Sequence, residues 1–189
     1  MIGNNPYLET LVQTIGHRFA DESLLILAIT HKSVLTKEQP KNEHGLNNER
    51  LEFLGDAVLS LVSANYLFCH QPPLNEGDLS RLRAQYVCKD NLAEAGKKLG
   101  LSNFILSDKA MKRSGSTSSK AVLADALEAI IGAVFLDGGL ECAKSVVLRV
   151  LGLPKTTAAV RDKDAKTKDR KSTRLNSSHL SVSRMPSSA

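Results

Sequence analysis

Two short segments of the chain place five carboxylates among apolar residues. Glu49, Glu52 and Asp56 lie in the first segment, and Asp125 and Glu128 lie in the second. At about 100° per residue, the first three acids fall within about 60° of one another on a helix, and the last two share a face one turn apart. The sequence therefore predicts two helices that each carry an acidic stripe.

The rest of the first helix is apolar, which predicts that it is buried nearly all round. Its opposite face and flanks carry Leu51, Phe53, Leu54, Ala57, Val58, Leu59, Leu61, Val62 and Ala64. Carboxylates desolvated together need a compensating cation. Oxygen ligands without nearby His or Cys favour Mg²⁺ or Mn²⁺ over zinc.

The alternative interpretation is that these acids are solvated charges on helix faces, as single Asp and Glu residues usually are. Such faces normally carry Lys or Arg three or four residues away. In the first stripe Arg50 is the only base, and it points away from the acids. This absence of bases favours the metal hypothesis.

Composition favours one all-α domain followed by a tail. Only 4% of the 189 residues are aromatic, Trp is absent, and small aliphatic residues dominate. The three cysteines lack metal or disulfide spacing, and the five histidines are scattered. No apolar run reaches the roughly 18 residues of a membrane span, and the N-terminus lacks a signal pattern, so we expect a cytoplasmic protein without a membrane partner.

The net charge of +5 comes from the C-terminal end of the chain. Residues 155–189 hold 9 Lys/Arg against 3 Asp/Glu, which leaves 16 against 17 in residues 1–154. Within residues 1–154 the bases are clustered, and each is either a phosphate contact or an ordinary solvated charge. One cluster contains Arg81, Arg83 and Lys89, and another contains Lys109, Lys112, Arg113 and Lys120.

Periodicity and capping residues predict helices separated by polar turns. The predicted helices span residues 5–15, 21–30, 48–69, 78–87, 89–99, 120–135 and 140–151. Residues 33–47 and 114–119 are predicted loops, and Asp137-Gly138-Gly139 is a predicted tight turn. Beyond residue 155 the composition becomes polar and Ser-rich, which predicts disorder.

The segment Asn48–Asp56 resembles, residue for residue, the signature of the ribonuclease III family. Four further blocks resemble that family's blocks in the same order, over about residues 8–152. They are Thr30–Ser33, Glu76–Arg83, Leu123–Ala129 with Gly132, and Asp137–Gly139.

The resemblance implies the ribonuclease III endonuclease-domain helical fold. It also implies a homodimer that cuts double-stranded RNA, each subunit cutting one strand, with short 3′ overhangs and 5′-phosphate and 3′-hydroxyl ends. Precursors of ribosomal RNA and messenger RNAs are the expected substrates. In this interpretation residues 1–154 are the catalytic domain, and Lys163–Thr167, within a linker at 155–170, resembles the start of a double-stranded-RNA-binding domain. Residues 171–189 resemble translated vector sequence and are expected to be a disordered, non-native tail.

The resemblance also assigns roles to individual residues. It implies two Mg²⁺ ions per active centre, replaceable by Mn²⁺, held by Glu52, Asp56, Asp125 and Glu128. Asp56, as organiser of the attacking water, and Glu128 are the expected catalytic residues. Glu49 and Glu76 are expected auxiliary acids, and Phe53 is an expected dimer contact. The alternatives are a plain turn residue for Glu76 and core packing for Phe53.

Three other functions are compatible with a helical, acid-striped chain. A compact relative of ribonuclease III without a binding domain would be shorter. A non-catalytic RNA-binding protein would have substituted the acids, which are all present here. A di-iron carboxylate bundle requires Glu-x-x-His pairs, and the chain has none. Gly55 and Gly132, beside the acids, are expected to allow a close approach of helices or of a phosphate.

Overall fold

The computed structural model describes residues 6–35, 46–70 and 72–153. Seven α-helices cover most of these residues, which confirms the all-α prediction. They are α1 (Pro6–Ile15), α2 (Glu22–Ala28), α3 (Glu49–Phe68), α4 (Glu76–Val87), α5 (Lys89–Lys98), α6 (Lys109–Ser114) and α7 (Lys120–Val150). Within the described ranges there is no strand, only an isolated bridge between Thr30 and Leu106. The expectations for residues 155–170 and 171–189 lie outside the described residues.

Side-chain caps explain where several helices begin. The carboxylate of Asp21 accepts from the Ser23 N–H at the start of α2, and Asp108 does the same for Met111 in α6. Asn75 accepts from the Asp78 N–H, so α4 begins at Glu76 rather than near residue 78 as predicted. The short helix α6 was not predicted, because it offers only one turn and a half of weak periodicity.

The predicted break between two helices at residues 137–139 is present as a kink within α7. Gly139 adopts φ 74° and ψ −173°, which is not helical, and it divides α7 into two helical segments. Asp137 also anchors the connection between α1 and α2. Its carboxylate accepts from the N–H groups of Ala20 and Asp21 at 3.0 and 2.9 Å, and His17 Nε2 lies 2.8 Å away.

Helix α7 is the centre of the core and packs against α3, α5 and α2. Leu127, Ile130, Ile131 and Val134 of α7 are fully buried. Burial of this aliphatic face supplies the main driving force that holds the helices together.

The prediction that α3 is buried nearly all round is wrong. Phe53, Leu61 and Phe68 are 81%, 55% and 79% exposed. Only one face of α3 packs on α7, and the exposed apolar residues lie on its other sides. Helix α3 is also the one helix in the described part of the chain that is long and apolar enough to cross a membrane. Core helices pass the same test, and α3 carries three acids in its first eight residues.

Helices α3 and α7 cross where each has a glycine. A Cβ atom on Gly55 would overlap the carbonyl oxygen of Glu128, and one on Gly132 would overlap the carbonyl oxygen of Leu51. The absence of side chains therefore lets the two backbones touch. This confirms the expected close helix approach, and it brings the two acidic stripes to the same crossing.

Candidate active site

Carboxylates from α3 and α7 meet in one cleft of about 520 Å³. Glu52 of α3 and Asp125 and Glu128 of α7 each offer an oxygen within 4.8 Å of the others. Asp56, one turn after Glu52, lines the same cleft and is exposed. The structure thus brings together all four residues that were expected to hold metal.

Glu128 is the carboxyl group of this cluster with the largest rise in pKa. Only 7% of Glu128 is exposed, and burial together with the charges of Asp56, Glu52 and Asp125 raises the pKa of its carboxyl to about 7. Burial and the charge of Asp125 also raise the pKa of Glu52. The cluster is therefore unfavourable as a set of free anions at neutral pH.

The donor set fits a hard divalent cation. The converging ligand atoms are carboxylate oxygens, which Mg²⁺ and Mn²⁺ prefer. Among the described residues, the one imidazole that lines the cleft is that of His31, whose Nδ1 accepts from the Ser33 N–H at 3.0 Å. A cation held by the carboxylates would relieve the repulsion that raises the pKa of Glu128.

Glu49 lies at the edge of the cleft, outside the three-carboxylate group. Its carboxylate accepts from Lys32 Nζ at 3.1 Å and from the Asn47 side chain at 3.2 Å. The hydrogen bond from Lys32 lowers the pKa of Glu49. These contacts are compatible with the auxiliary role expected of Glu49.

Two lysines of the cleft come from elements other than the acidic helices. Lys32 belongs to a 3₁₀ turn at Lys32–Val34, and Lys89 is the first residue of α5. Lys89 Nζ lies 3.4 Å from Asp125 Oδ1. The sequence correctly indicated that α3 itself has no base along its acidic stripe. Lysines from other elements nevertheless lie next to these acids in the folded chain. The Thr30–Ser33 block was the one sequence signal that pointed to Lys32 and His31.

Glu76 does not lie in the acidic cleft of its own chain. It is in the first turn of α4, where it accepts from Ser80 Oγ at 2.8 Å. It lines a separate, largely apolar groove with Leu61, Phe68 and Arg83. Any contribution of Glu76 to the carboxylate cluster would therefore require a second copy of the chain.

Phe53 is located on the rim of the acidic cleft, and its side chain faces solvent. Core packing, the alternative interpretation of this residue, is therefore excluded. An aromatic ring this exposed is typical of a residue that is covered by a partner.

The basic residues expected at phosphate contacts are exposed but occupy two different places. Arg81 pairs with Asp78 at 3.0 Å on α4, and Arg83 lines the apolar groove. Lys112 and Arg113 lie in the last turn of α6. The N-cap of α6, Asp108, contacts the turn that carries Lys32: its N–H donates to Ser33 Oγ at 3.1 Å. The bases of α6 therefore belong to an element that borders the cleft wall.

Comparison with known proteins identifies the family. A sequence profile described as Ribonuclease-III-like matches residues 21–154. The chain belongs to the ribonuclease III family. The ribonuclease 3 of Nitratidesulfovibrio vulgaris is 44% identical over 162 residues, which cover 85% of this chain and 63% of that protein. The ribonuclease 3 of Campylobacter jejuni is 44% identical over 163 residues, or 85% and 69% of the two lengths. The chain thus spans about two thirds of the length of these curated relatives of the ribonuclease III family.

The fold is also that of ribonuclease III nuclease domains. One structure of the Campylobacter jejuni domain, described for flexibility in the region involved in dimer formation, is 46% identical and superposes with a TM-score of 0.68. The match covers 76% of this chain and 95% of the Campylobacter jejuni domain. A second structure of that domain is 40% identical with a TM-score of 0.66, and the match covers 82% and 99% of the two chains.

Proposed function

We propose that this chain is an endoribonuclease that hydrolyses phosphodiester bonds in double-stranded RNA, with residues 1–154 as its catalytic domain. The observation that carries the proposal is the convergence of Glu52, Asp125 and Glu128 from two helices, with Asp56 beside them. Membership of the ribonuclease III family supports the choice of RNA as substrate.

Glu52, Asp56, Asp125 and Glu128 would hold Mg²⁺, or Mn²⁺ in its place, with two ions in each active centre. When bound, the ions supply positive charge that stabilises the transition state and activates water as the nucleophile.

The protein's own groups orient the reactants. The carboxylate of Asp56 is exposed at the cleft, so it can accept a hydrogen bond from the attacking water. The water oxygen bonds to phosphorus and releases a proton to solvent, the bond from phosphorus to the 3′ oxygen breaks, and that oxygen takes a proton from solvent. The products carry 5′-phosphate and 3′-hydroxyl ends. Glu128 is held by the α7 backbone at the glycine crossing, which fixes its position relative to Glu52.

The substrate would be recognised by its duplex shape. A-form RNA presents phosphates and 2′-hydroxyls across a wide minor groove, so contacts from exposed bases give little sequence preference. Arg81, Arg83, Lys112 and Arg113 are the proposed phosphate contacts. Ribosomal RNA precursors and messenger RNAs, in the cytoplasm, are the proposed substrates.

The active form would be a homodimer. Phe53, Leu61 and Phe68 present exposed apolar surface along α3, and the apolar groove beside α4 could receive an aromatic side chain from a second copy. The related Campylobacter jejuni domain has a region involved in dimer formation. Two centres, each cutting one strand, would leave short 3′ overhangs.

Substitution of two acids tests the proposal. Glu128→Ala and Asp56→Ala are expected to abolish Mg²⁺-dependent cleavage of a long RNA duplex, measured by gel electrophoresis, and to leave the dimer intact in sedimentation experiments. Glu141→Ala is the control, because Glu141 is an exposed acid on α7 paired with Lys144. Wild-type cleavage by either cleft variant, or full cleavage in a chelator, would overturn the assignment.

A further inference from the structure

Lys89 places an ammonium group against a metal-binding carboxylate from outside both acidic helices. It begins α5, and its Nζ lies 3.4 Å from Asp125 Oδ1 inside the cleft. Its positive charge partly opposes the rise in the pKa of Glu52 and of Glu128, so it acts on the three carboxylates that converge. Lys89 thus occupies the region in which a divalent cation would bind.

The ion pair between Lys89 and Asp125 can break at a small cost in free energy. The Lys89 side chain is 68% exposed, and exposed ion pairs contribute only about 0–1 kcal/mol. The four-carbon side chain of lysine is flexible, so the ammonium group can move from one anion to another nearby. The pair therefore costs little to break when a stronger cation competes for Asp125.

A purely structural role for Lys89 is poorly supported, because another ion pair already joins the same two helices. Lys120 of α7 lies 2.7 Å from Asp90 of α5, outside the residues that line the cleft. The distance between Lys120 and Asp90 is shorter than the 3.4 Å between Lys89 and Asp125, and Asp90 directly follows Lys89 in the chain. The location of Lys89 in the cleft is what distinguishes it from Lys120.

We propose that Lys89 is a mobile counter-ion of the cleft, which pairs with Asp125 in the metal-free protein and moves to an RNA phosphate when Asp125 becomes a metal ligand. This inference rests on the proposed function. Lysine is a common phosphate partner that acts as a point charge. Lys89 therefore competes with metal before RNA arrives and supports the substrate afterwards, so that metal and RNA bind best together.

Lys89→Gln separates these two effects. Removing one positive charge a few ångströms from the carboxylates is expected to tighten Mn²⁺ binding in the absence of RNA by about tenfold, measured by isothermal titration calorimetry on the full chain. The same variant is expected to raise the KM for duplex RNA at saturating Mg²⁺ by about tenfold, because a phosphate contact is lost. Lys89→Arg should restore the charge and return both values close to those of the wild type.

Lys120→Gln is the matched control, since it breaks the other ion pair between α5 and α7. It is expected to leave Mn²⁺ affinity and KM unchanged, and both Gln variants should have similar thermal unfolding midpoints. Mn²⁺ affinity in Lys89→Gln that equals or falls below that of the wild type would overturn the counter-ion role, and so would an unchanged KM. A wild-type chain that binds no Mn²⁺ and cleaves no duplex would instead overturn the proposed function itself.

Discussion

Gly55→Ala tests whether the helix crossing sets the geometry of the active site. The added methyl group would overlap the carbonyl oxygen of Glu128 and lie 2.6 Å from its carbonyl carbon and 3.0 Å from the amide nitrogen of Gly132. Nonbonded carbons pack at about 3.5–4.0 Å. Every atom in this contact is backbone, so no flexible side chain can yield. Helices α3 and α7 must therefore separate by about 1 Å.

This separation is expected to reduce both stability and activity. Overpacking costs about 1–3 kcal/mol, and the better helix propensity of Ala recovers roughly 1 kcal/mol of that. The net loss in the free energy of unfolding is then about 0–2 kcal/mol. The same shift moves Glu128 and Asp125 away from Glu52. Metal ligands tolerate only about 0.2 Å, and a 1 Å misplacement costs about 100-fold in rate.

Three measurements check this prediction: urea unfolding for stability, Mn²⁺ titration for metal affinity and duplex cleavage for activity. Gly77→Ala is the control, because a Cβ there would meet only Asn75 Oδ1 at 3.4 Å, an ordinary contact near the start of α4. We expect that variant to be as stable as the wild type or slightly more stable, with unchanged Mn²⁺ affinity. Wild-type stability and Mn²⁺ affinity in Gly55→Ala would refute the proposal that the crossing fixes the carboxylates.

Three further predictions concern single side chains. Because the pKa of Glu128 is raised from 4.5 to about 7, the metal-free protein should lose stability as pH rises across that interval. Glu128→Gln should remove this loss, which is measured by chemical denaturation at pH 5 and pH 8. An unchanged pH dependence in the variant would contradict the burial of this charge. Burial opposes ionisation of Asp137, but hydrogen bonds from Asp21, His17 and Ala20 outweigh it and lower its pKa. Asp137→Ala should therefore destabilise the fold by about 2 kcal/mol at pH 7, and in the wild type this contribution should disappear as pH falls through the lowered pKa, below 3.8. Phe53→Glu should convert the proposed dimer to monomers in sedimentation velocity, whereas Leu136→Glu, at another exposed apolar position, should not. A persistent Phe53→Glu dimer would place the interface elsewhere.

Local patterns predicted the parts of the site that depend on a single helix. Glu52 and Asp56 share a face because they are four residues apart, and Asp125 and Glu128 do so at a spacing of three. The meeting of the two pairs followed from the family resemblance, since helical spacing alone does not say which helices cross. The glycines at the crossing were expected to permit close approach, and the structure places both there.

Tertiary packing decided what local patterns could not. Lys32 and Lys89 reach Glu49 and Asp125 from elements 17 and 36 residues away in sequence, so no helical spacing could have revealed their pairing. Apolarity was also ambiguous, because the same side chains suit a core and a surface that binds a partner. Leu61 was assigned to the buried face of α3 and Phe53 to its flank on apolarity, and both are exposed.

The central position of α7 has a consequence for the chain during synthesis. Helix α7 supplies the wall against which α3, α5 and α2 pack, yet it follows all of them in sequence. A nascent chain that has emerged only through α6 carries Glu52 and Asp56 but has no partner surface for them, and at about 5–20 residues per second it waits several seconds for one. The ribosome therefore releases a domain whose carboxylate cluster forms last, after nearly all of the described fold has left the exit tunnel. A chain of this family that is interrupted before Glu128 therefore cannot assemble the carboxylate cluster.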